Sequence, residues 1–171
     1  MKIKLKNFIL RPFRKGDEPS LQKNINNKKI YEMTRRVAYP YTLEHAKQWV
    51  KINIEEEKKE NRDMIFFVID INEEVAGSIG LSSIKSWKAE LGYWLGESFW
   101  NKGIMTKAVD SVTEYGFEEL KLKRIYAEVF SFNKASMRVL EKNDYKFEGV
   151  LKNNFLKDGK LIDELVFARL N

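Results

Sequence analysis

Hydrophobic residues follow two periods along this chain, and the segments with strand character stand out first. Met64 to Asp70 is an almost unbroken apolar run, which is typical of a strand covered on both faces. Shorter or alternating apolar patterns predict further strands over residues 3–14, 75–84, 88–95, 124–129, 145–156 and 160–169. The turn at Asn72 and the Asp158-Gly159 pair favour hairpins, and a third hairpin is predicted around residues 85–87.

Helical periodicity separates these strands. Residues 104–120 carry apolar side chains at 105, 108, 109 and 112, the spacing of a helix packed on a sheet. Similar patterns predict helices over residues 17–26, 28–35 and 133–142, and a longer helix that starts at Thr42 and ends in a polar stretch near residue 62. His45 is expected on the surface of this longer helix. The sequence therefore predicts one mixed α/β domain of layered sheet and helices over residues 1–171.

Two segments repeat the same arrangement of a strand that leads through a short turn into a helix. Residues 90–108 contain the first, and residues 129–142 contain the second. The first turn of a helix leaves its N–H groups without intrahelical partners, and the helix dipole adds positive potential there. Such a helix start binds phosphate groups. The pair of segments therefore suggests a coenzyme held between two strand ends.

Composition narrows the possible chemistry. The chain has 31 Lys and Arg against 25 Asp and Glu, but these charges are intermixed, so a nucleic-acid partner is supported by net charge alone. The absence of cysteine excludes disulfides, thiolate nucleophiles and cysteine-bound metals. With a single histidine, we expect no bound zinc. No apolar run reaches membrane-spanning length, and we expect a cytoplasmic protein.

Four motifs in this order of elements resemble a known family. They are Leu10-Arg11-Pro12, Glu90-Leu-Gly-Tyr-Trp-Leu95, Trp100-Asn-Lys-Gly-Ile-Met-Thr106 and Asn133-x-x-Ser136. Together they resemble the GNAT N-acetyltransferase superfamily, and most closely its ribosomal-protein N-terminal (RimJ/RimL-like) branch. The resemblance covers nearly the whole chain. It implies a single GNAT domain whose central, mostly antiparallel twisted sheet is splayed in the middle, with helices on both faces.

The resemblance also implies a cosubstrate, acetyl-CoA, and no metal. The pantetheine would lie in the opening where the strand ending near Leu95 separates from the strand ending near Phe130, bound like an added strand. Gly103 suits the pyrophosphate loop because glycine tolerates positive φ and close approach; the alternative is a plain turn glycine. The coenzyme residues implied are Tyr93, Trp94, Leu95, Trp100, Asn101, Lys102, Gly103, Ile104, Met105, Thr106, Asn133, Ser136 and Lys142.

Several positions differ from the family pattern. Trp100 stands where the pyrophosphate motif often begins with Gln or Arg, as is usual in the ribosomal branch. Met105 replaces a common small residue and Lys107 a frequent Glu, so we expect a slightly reshaped loop. Asp144-Tyr145 replaces a Gly-Phe pair after the second helix, and aspartate tolerates left-handed backbone less well than glycine.

Acetyl transfer requires a deprotonated amine, and Glu90 is the candidate base. Because the chain has no cysteine, an acetylated thiol intermediate is excluded and direct attack in a ternary complex is favoured. The pKa of an α-amine is about 7.7–8.0, against about 10.4 for lysine. Glu90, acting through a water, would therefore suffice for an α-amine. The alternative is an exposed strand carboxylate in a salt bridge.

Ser136 is the candidate that stabilises the departing thiolate. Many GNAT enzymes place a tyrosine seven residues after the asparagine, but Leu140 stands there. The resemblance to the ribosomal branch implies that the Ser136 hydroxyl takes this role, with Tyr145 in reserve; the alternative is an ordinary residue in a first helical turn. Asn133 is a good helix N-cap and, by resemblance, also a pantetheine ligand.

The acceptor is expected where residues 28–41 meet the terminal hairpin around residues 155–159, lined by Tyr31, Arg35, Tyr39 and Phe155, with Tyr41 in the same segment. The resemblance implies the N-terminal α-amine of a ribosomal or other protein. If these aromatic residues instead pack the N-terminal helices onto the sheet, a small amine such as a polyamine, amino-sugar or antibiotic would fill a shorter pocket. A CoA-binding module without activity is the other alternative. We expect a monomer or homodimer without a membrane partner.

Overall fold

The structure, a computed structural model, describes residues 2–171, which form eight strands and five helices. The strands are β1 (Ile3–Lys4), β2 (Ile9–Arg11), β3 (Ile65–Ile71), β4 (Glu74–Ser82), β5 (Lys88–Leu95), β6 (Arg124–Phe130), β7 (Lys146–Lys157) and β8 (Lys160–Leu170). The helices are α1 (Glu18–Ile25), α2 (Lys28–Met33), α3 (Leu43–Glu56), α4 (Ile104–Glu118) and α5 (Lys134–Glu141), and a short 3-10 helix spans Glu97–Phe99.

One sheet contains all eight strands, in the order β1-β2-β3-β4-β5-β6-β8-β7. Every neighbouring pair is antiparallel except β5 and β6, which are parallel. The β5–β6 ladder runs only from Lys88–Arg124 to Glu90–Tyr126. Beyond that point β5 stays with β4 as far as Leu95, and β6 stays with β8 as far as Phe130. The predicted splay in a mostly antiparallel sheet is thereby confirmed, with Glu90 at its apex.

Helices cover both faces of this sheet, as predicted. On one face, α4 buries Met105, Ala108, Val109 and Val112 against strand residues such as Ile79. On the other face, α1 and α3 pack a second core, made of Phe13, Leu21, Ile25, Ile30, Tyr41, Ala46, Val50, Val68 and Val75. Side chains alternate between the two faces of a strand. Each strand residue near the split therefore points either to the face covered by α4 or to the face covered by α1 and α3.

Two boundaries differ from the sequence-based expectation. The strand predicted over residues 3–14 is two short strands, because Leu5 N donates to Phe8 O at 3.0 Å and turns the chain back. The helix predicted to reach residue 62 ends at Glu56. The Glu56 carboxylate accepts the Asp63 amide at 2.8 Å and pairs with Lys59 at 2.5 Å, which folds the polar stretch into a turn.

Local turn chemistry agrees with the sequence. Asn72 and the Asp158-Gly159 pair take positive φ at hairpin turns, and Asp144 takes a φ of 62° just after α5. His45 lies in the first turn of α3, where its Nδ1 accepts the Thr42 amide at 3.1 Å. Its role is therefore that of a capping residue.

Candidate active site

The open edge of β5 is formed by the backbone of Tyr93 and Leu95. Gly96 N donates to Ala76 O at 2.8 Å, so backbone groups at even positions of this segment face β4. The odd positions then face the opening toward β6. Trp94 was predicted with them, but its backbone is turned toward β4, where it registers with Ser78. Tyr93 and Leu95 therefore direct backbone groups to the opening, and the coenzyme contact of Trp94 stays a prediction.

The next segment forms a start of α4 suited to an anion. Asn101 and Gly103 take positive φ values of 60° and 71°, and Gly103 is the residue before the first helical turn. No heavy atom of the described residues lies within 4 Å of the position that a Cβ on Gly103 would occupy. The N–H groups of Ile104, Met105 and Thr106 have no intrahelical partners. The open space and the free N–H groups make a concave site that a phosphate group fits.

Side chains in this segment mostly bond or pack within the protein and are not directed at the opening between β5 and β6. Trp100 Nε1 donates to Leu95 O at 2.7 Å, and its amide donates to Glu97 O at 3.2 Å, so both donors are used internally. These bonds hold the loop against the end of β5, and the coenzyme contact of Trp100 stays a prediction. Ile104 and Met105 bury their side chains in the core, so only their backbones face the coenzyme side.

The second predicted segment places Asn133 before α5. Its Oδ1 accepts the Ser136 amide at 3.1 Å, which confirms the N-cap interpretation, and its Nδ2 donates to Met33 O at 3.2 Å. The pantetheine contact of Asn133 remains a prediction. Lys142 is exposed beyond the other end of α5, roughly 12 Å along the helix from its start. The coenzyme contact of Lys142 stays a prediction.

Ser136 is hydrogen-bonded to a tyrosine that the sequence did not single out for its side chain. The hydroxyls of Ser136 and Tyr93 lie 2.7 Å apart, and Tyr93 Oη is also 3.3 Å from Ser136 O. Burial raises the pKa of Tyr93, so this hydroxyl stays protonated. The expected reserve residue Tyr145 is near enough for its hydroxyl to influence that of Tyr93, and this hydroxyl bonds Thr113 at 2.7 Å. The reserve role of Tyr145 stays a prediction.

Glu90 lies on the opposite face of β5 from Tyr93, at the apex of the split. Its Oε1 accepts from Arg35 Nη1 at 3.0 Å, and its side chain is 15% exposed. Burial raises the pKa of Glu90 above its ordinary value, while the nearby Arg35 charge opposes that shift. The salt bridge weighed as the alternative for Glu90 exists, and its catalytic role remains a prediction.

The four predicted acceptor residues come together between α2 and the β7–β8 hairpin. Arg35 lies over the Phe155 ring at 5.4 Å, and the Tyr31 and Tyr39 rings are 5.8 Å apart. Tyr31 Oη donates to Asp158 Oδ1 at 2.5 Å, which links α2 to the hairpin tip. Tyr31 therefore joins the hairpin tip, whereas Phe155 lies on β7 and packs against Phe130, and Tyr41 is buried in the core beside α1 and α3.

Sequence reasoning missed two acidic residues in this region. Arg35 Nη1 also donates to Glu128 Oε2 at 2.8 Å, and Arg35 Nε lies 3.1 Å from Glu164 Oε1. The available signal was a glutamate inside each predicted strand, between apolar neighbours at Ala127-Glu128-Val129 and between Asp163 and Leu165 for Glu164. The alternation of polar and apolar residues along a strand does not indicate which residue a strand glutamate contacts.

Other site types are not represented in the described chain. Within residues 2–171, no group of three or more His, Asp or Glu side chains is arranged to hold a metal ion. No helix in the same residues combines the length and apolar character needed to cross a membrane. The arrangement is thus an open strand edge, a helix start suited to an anion, and a charged acceptor cleft.

Comparison with known proteins agrees with this geometry. Residues 7–146 match the family described as Acetyltransferase (GNAT) domain. The chain is 34% identical over 176 residues to the probable N-acetyltransferase YjcK of Bacillus subtilis (strain 168), covering 99% of this chain and 97% of that protein. It is 35% identical over 105 residues to the uncharacterized N-acetyltransferase p20 of Bacillus licheniformis, covering 60% and 59% respectively.

Solved structures with the same fold are more distant in sequence. One is RimL, a ribosomal L7/L12 alpha-N-protein acetyltransferase in complex with coenzyme A, with a TM-score of 0.90, 23% identity, and coverage of 99% of this chain and 98% of that one. At this identity the likeness shows the fold. Taken with the family match over most of its length, it means that the chain belongs to the GNAT acetyltransferase family and is an acetyltransferase.

Proposed function

We propose that this protein transfers the acetyl group of acetyl-CoA to a primary amine. The observation that carries this proposal is the end of the β5–β6 ladder at Glu90, which leaves the Tyr93 backbone and the Leu95 N–H open beside the start of α4, while Leu95 O accepts the Trp100 indole. A pantetheine arm can add to such an edge as a strand would. The pyrophosphate would lie against the first-turn N–H groups that follow Gly103. RimL, which shares this fold, was solved with coenzyme A, and this supports the assignment.

The proposed reaction is a direct attack in a ternary complex. The amine nitrogen forms a bond to the acetyl carbonyl carbon, and the carbon–sulfur bond breaks with its electron pair on sulfur. Before the attack, the ammonium group gives one proton to Glu90 through a water. As the carbon–sulfur bond breaks, the nitrogen gives up a second proton, and the thiolate takes up one proton, so that the amide and the CoA thiol result. The amine would enter from the Glu90 face of β5, whereas Ser136 faces the opposite side of the split.

Ser136 and Tyr93 form the proposed site for the leaving thiolate. Their hydroxyls are 2.7 Å apart. When Tyr93 donates to Ser136, the serine proton is free to point toward sulfur. The raised pKa of Tyr93 keeps that donor protonated throughout the physiological range. This arrangement supplies the function of the tyrosine that Leu140 replaces.

For the acceptor, we propose the N-terminal α-amine of a peptide or protein. An α-amine with a pKa of about 7.7–8.0 needs only modest help from one carboxylate, and lysine at about 10.4 needs much more. RimL is named as an alpha-N-protein acetyltransferase, which supports the same acceptor class. Acceptor proteins with a free N-terminal α-amine are made in the cytoplasm, and we propose that the enzyme acts there.

A small amine is the second candidate, and one observation favours it. Tyr31 bonds Asp158 at 2.5 Å, and Lys157 Nζ donates to Thr34 O at 2.9 Å, so α2 and the hairpin tip are joined across the cleft. These bonds would shorten the cleft for a long peptide. An α-amine that enters end-on is compatible with both the cleft and the chemistry.

An acceptor screen tests the proposal. The rate of CoA release is measured with peptides that begin with Ser or Ala, with a free polyamine and with an aminoglycoside. We expect the peptides to have the higher kcat/KM. The reverse ranking would refute the α-amine acceptor. Tight acetyl-CoA binding in calorimetry without CoA release for any amine would instead identify a binding module without activity.

A further inference from the structure

Three glutamates from three strands face a single guanidinium at the split. Arg35 Nη1 is shared by Glu90 and Glu128, at 3.0 and 2.8 Å, and Arg35 Nε lies 3.1 Å from Glu164 Oε1. The Glu90 and Glu128 side chains are 15% and 19% exposed, and Glu164 is fully buried. Three carboxylates thus share one close positive charge.

A second arginine cluster in the chain shows the contrast with a purely structural arrangement. Arg11 donates from Nε to Asp70 at 2.5 Å and from both Nη atoms to Asp17 at 2.9 and 2.7 Å, and both carboxylates also accept backbone N–H groups. Around Arg35 the bonding is incomplete. Arg35 Nε and Glu164 Oε1 are buried and have no hydrogen-bond partner among the described residues. The two atoms form an ion pair with each other at 3.1 Å, in a geometry outside that of a hydrogen bond, so each keeps unused hydrogen-bonding capacity.

Neighbouring charges do not balance the cluster. Arg36 Nη2 approaches Glu90 only to 4.0 Å and is 71% exposed, so solvent screens it. Lys157 is engaged by Thr34 O and lies over the Tyr31 ring at 3.8 Å. The carboxylates are also not arranged for a metal ion within residues 2–171. Uncompensated charge in a partly buried cleft is unfavourable, so a cation from outside would be stabilised there.

We propose that the acceptor carries a second positive charge besides its reacting amine, and that Glu128 receives this charge next to Arg35, with Glu164 behind. The inference rests on the proposed function. The reacting ammonium loses its charge when its proton passes to Glu90, whereas a second cation keeps its charge throughout. The substrate class is an amine with a cationic group a few bonds from the reacting nitrogen. A peptide N-terminus followed by lysine and a short diamine both have this chemistry.

Binding is measured first, because it does not depend on turnover. Protein saturated with CoA is titrated calorimetrically with putrescine and with butylamine, which differ by one ammonium group. We expect putrescine to bind at least about tenfold more tightly, since a charged hydrogen bond contributes about 1.5–3 kcal/mol. Equal affinities would overturn the inference. Preferential putrescine binding without acetylation of any amine would keep the cation site and reject the proposed function.

Turnover measurements then distinguish the two substrate classes that carry a second positive charge, peptides and diamines. Peptides that begin Ser-Lys and Ser-norleucine have side chains of similar length, with and without the charge. We expect the lysine peptide to have the higher kcat/KM by about tenfold, and putrescine to exceed butylamine by a similar factor. A preference within the peptide pair alone assigns the source to peptides, and a preference within the diamine pair alone assigns it to diamines. Equal rates within both pairs would refute the second charge.

Glu128→Gln tests the assigned residue. This substitution keeps the side chain's size and removes one negative charge, so the putrescine-to-butylamine affinity ratio should fall toward one. Glu73→Gln is the matched control, because Glu73 is an exposed residue in the β3–β4 turn. An unchanged ratio in a Glu128→Gln protein with wild-type Tm would remove Glu128 from the site. An equal fall in Glu73→Gln would mean that net charge alone sets the preference.

Discussion

The two sides of the split in the sheet are lined by different kinds of groups, backbone on one side and side chains on the other. The coenzyme side consists mainly of backbone, with the free edge of Tyr93 and Leu95 and the first turn after Gly103. The acceptor side consists of side chains, with Arg35 among carboxylates and Tyr31 bonded to the hairpin. Backbone sites depend on local conformation, whereas side-chain sites depend on which distant residues meet. The first can therefore be shared across a family, and the second can differ between its members.

The largest expected effect is on the acceptor side, from Glu90→Gln. Loss of the proposed base should lower kcat by about 10²–10⁴-fold, with acetyl-CoA affinity nearly unchanged. Burial raises the pKa of Glu90, so wild-type activity should fall with decreasing pH at a value above that of an ordinary glutamate. The variant should lose this acid limb. Its deficit should shrink at high pH, where the amine deprotonates unaided. Steady-state kinetics over a pH series measure all three.

Ser136→Ala should follow, with kcat lowered by about 10²-fold because the thiolate loses its hydroxyl donor. Tyr93→Phe should cost about tenfold, since Ser136 remains but is no longer oriented. Tyr115→Phe is the matched control, because it removes another partly buried tyrosine hydroxyl, near the C-terminal end of α4, where the ring packs against Phe67. Wild-type turnover in both Glu90→Gln and Ser136→Ala would contradict the whole scheme.

Sequence alone predicted more of the coenzyme side than of the acceptor side, for a physical reason. The strand and helix around Gly103 are encoded within about twenty residues, so periodicity and one glycine were enough. Arg35 and Glu128 are 93 residues apart, and no local pattern encodes their contact. The coenzyme side also has features that no motif encodes. The direction of the Trp94 backbone depends on its pairing with β4, and the Trp100 indole bond depends on the end of β5.

Gly103→Val tests whether the helix start on the coenzyme side binds acetyl-CoA. A β-branched residue at a φ of 71° is strained, and its side chain would occupy the open space in front of the first-turn N–H groups. We expect acetyl-CoA affinity in calorimetry to fall by at least about tenfold, which corresponds to roughly 1.4 kcal/mol. Gly16→Val is the matched control, since Gly16 has a φ of 98° and equally open surroundings far from the split. Similar losses of Tm with intact affinity in both variants would defeat the assignment.

Asn133 joins the two sides, and it carries the smallest expected effect. Its Oδ1 caps α5 on the coenzyme side, while its Nδ2 donates to Met33 O at the end of α2 on the acceptor side. Asn133→Ala removes both bonds. Asn133→Asp keeps an oxygen for the cap and removes only the donor to Met33. The pair of variants therefore separates helix capping from the link between the two sides.

We expect Asn133→Ala to lower the free energy of unfolding by about 1 kcal/mol, the usual contribution of an N-cap. Asn133→Asp should stay within about 0.5 kcal/mol of wild type, because aspartate caps as well as asparagine and its charge is favourable at a helix start. Urea denaturation measures both values. If Asn133 also binds pantetheine through its amide, Asn133→Asp should weaken acetyl-CoA binding despite its stability. Wild-type acetyl-CoA affinity in Asn133→Asp would leave helix capping as the role of this residue on the coenzyme side. A raised KM for the acceptor in the same variant would show that the bond to Met33 O positions α2.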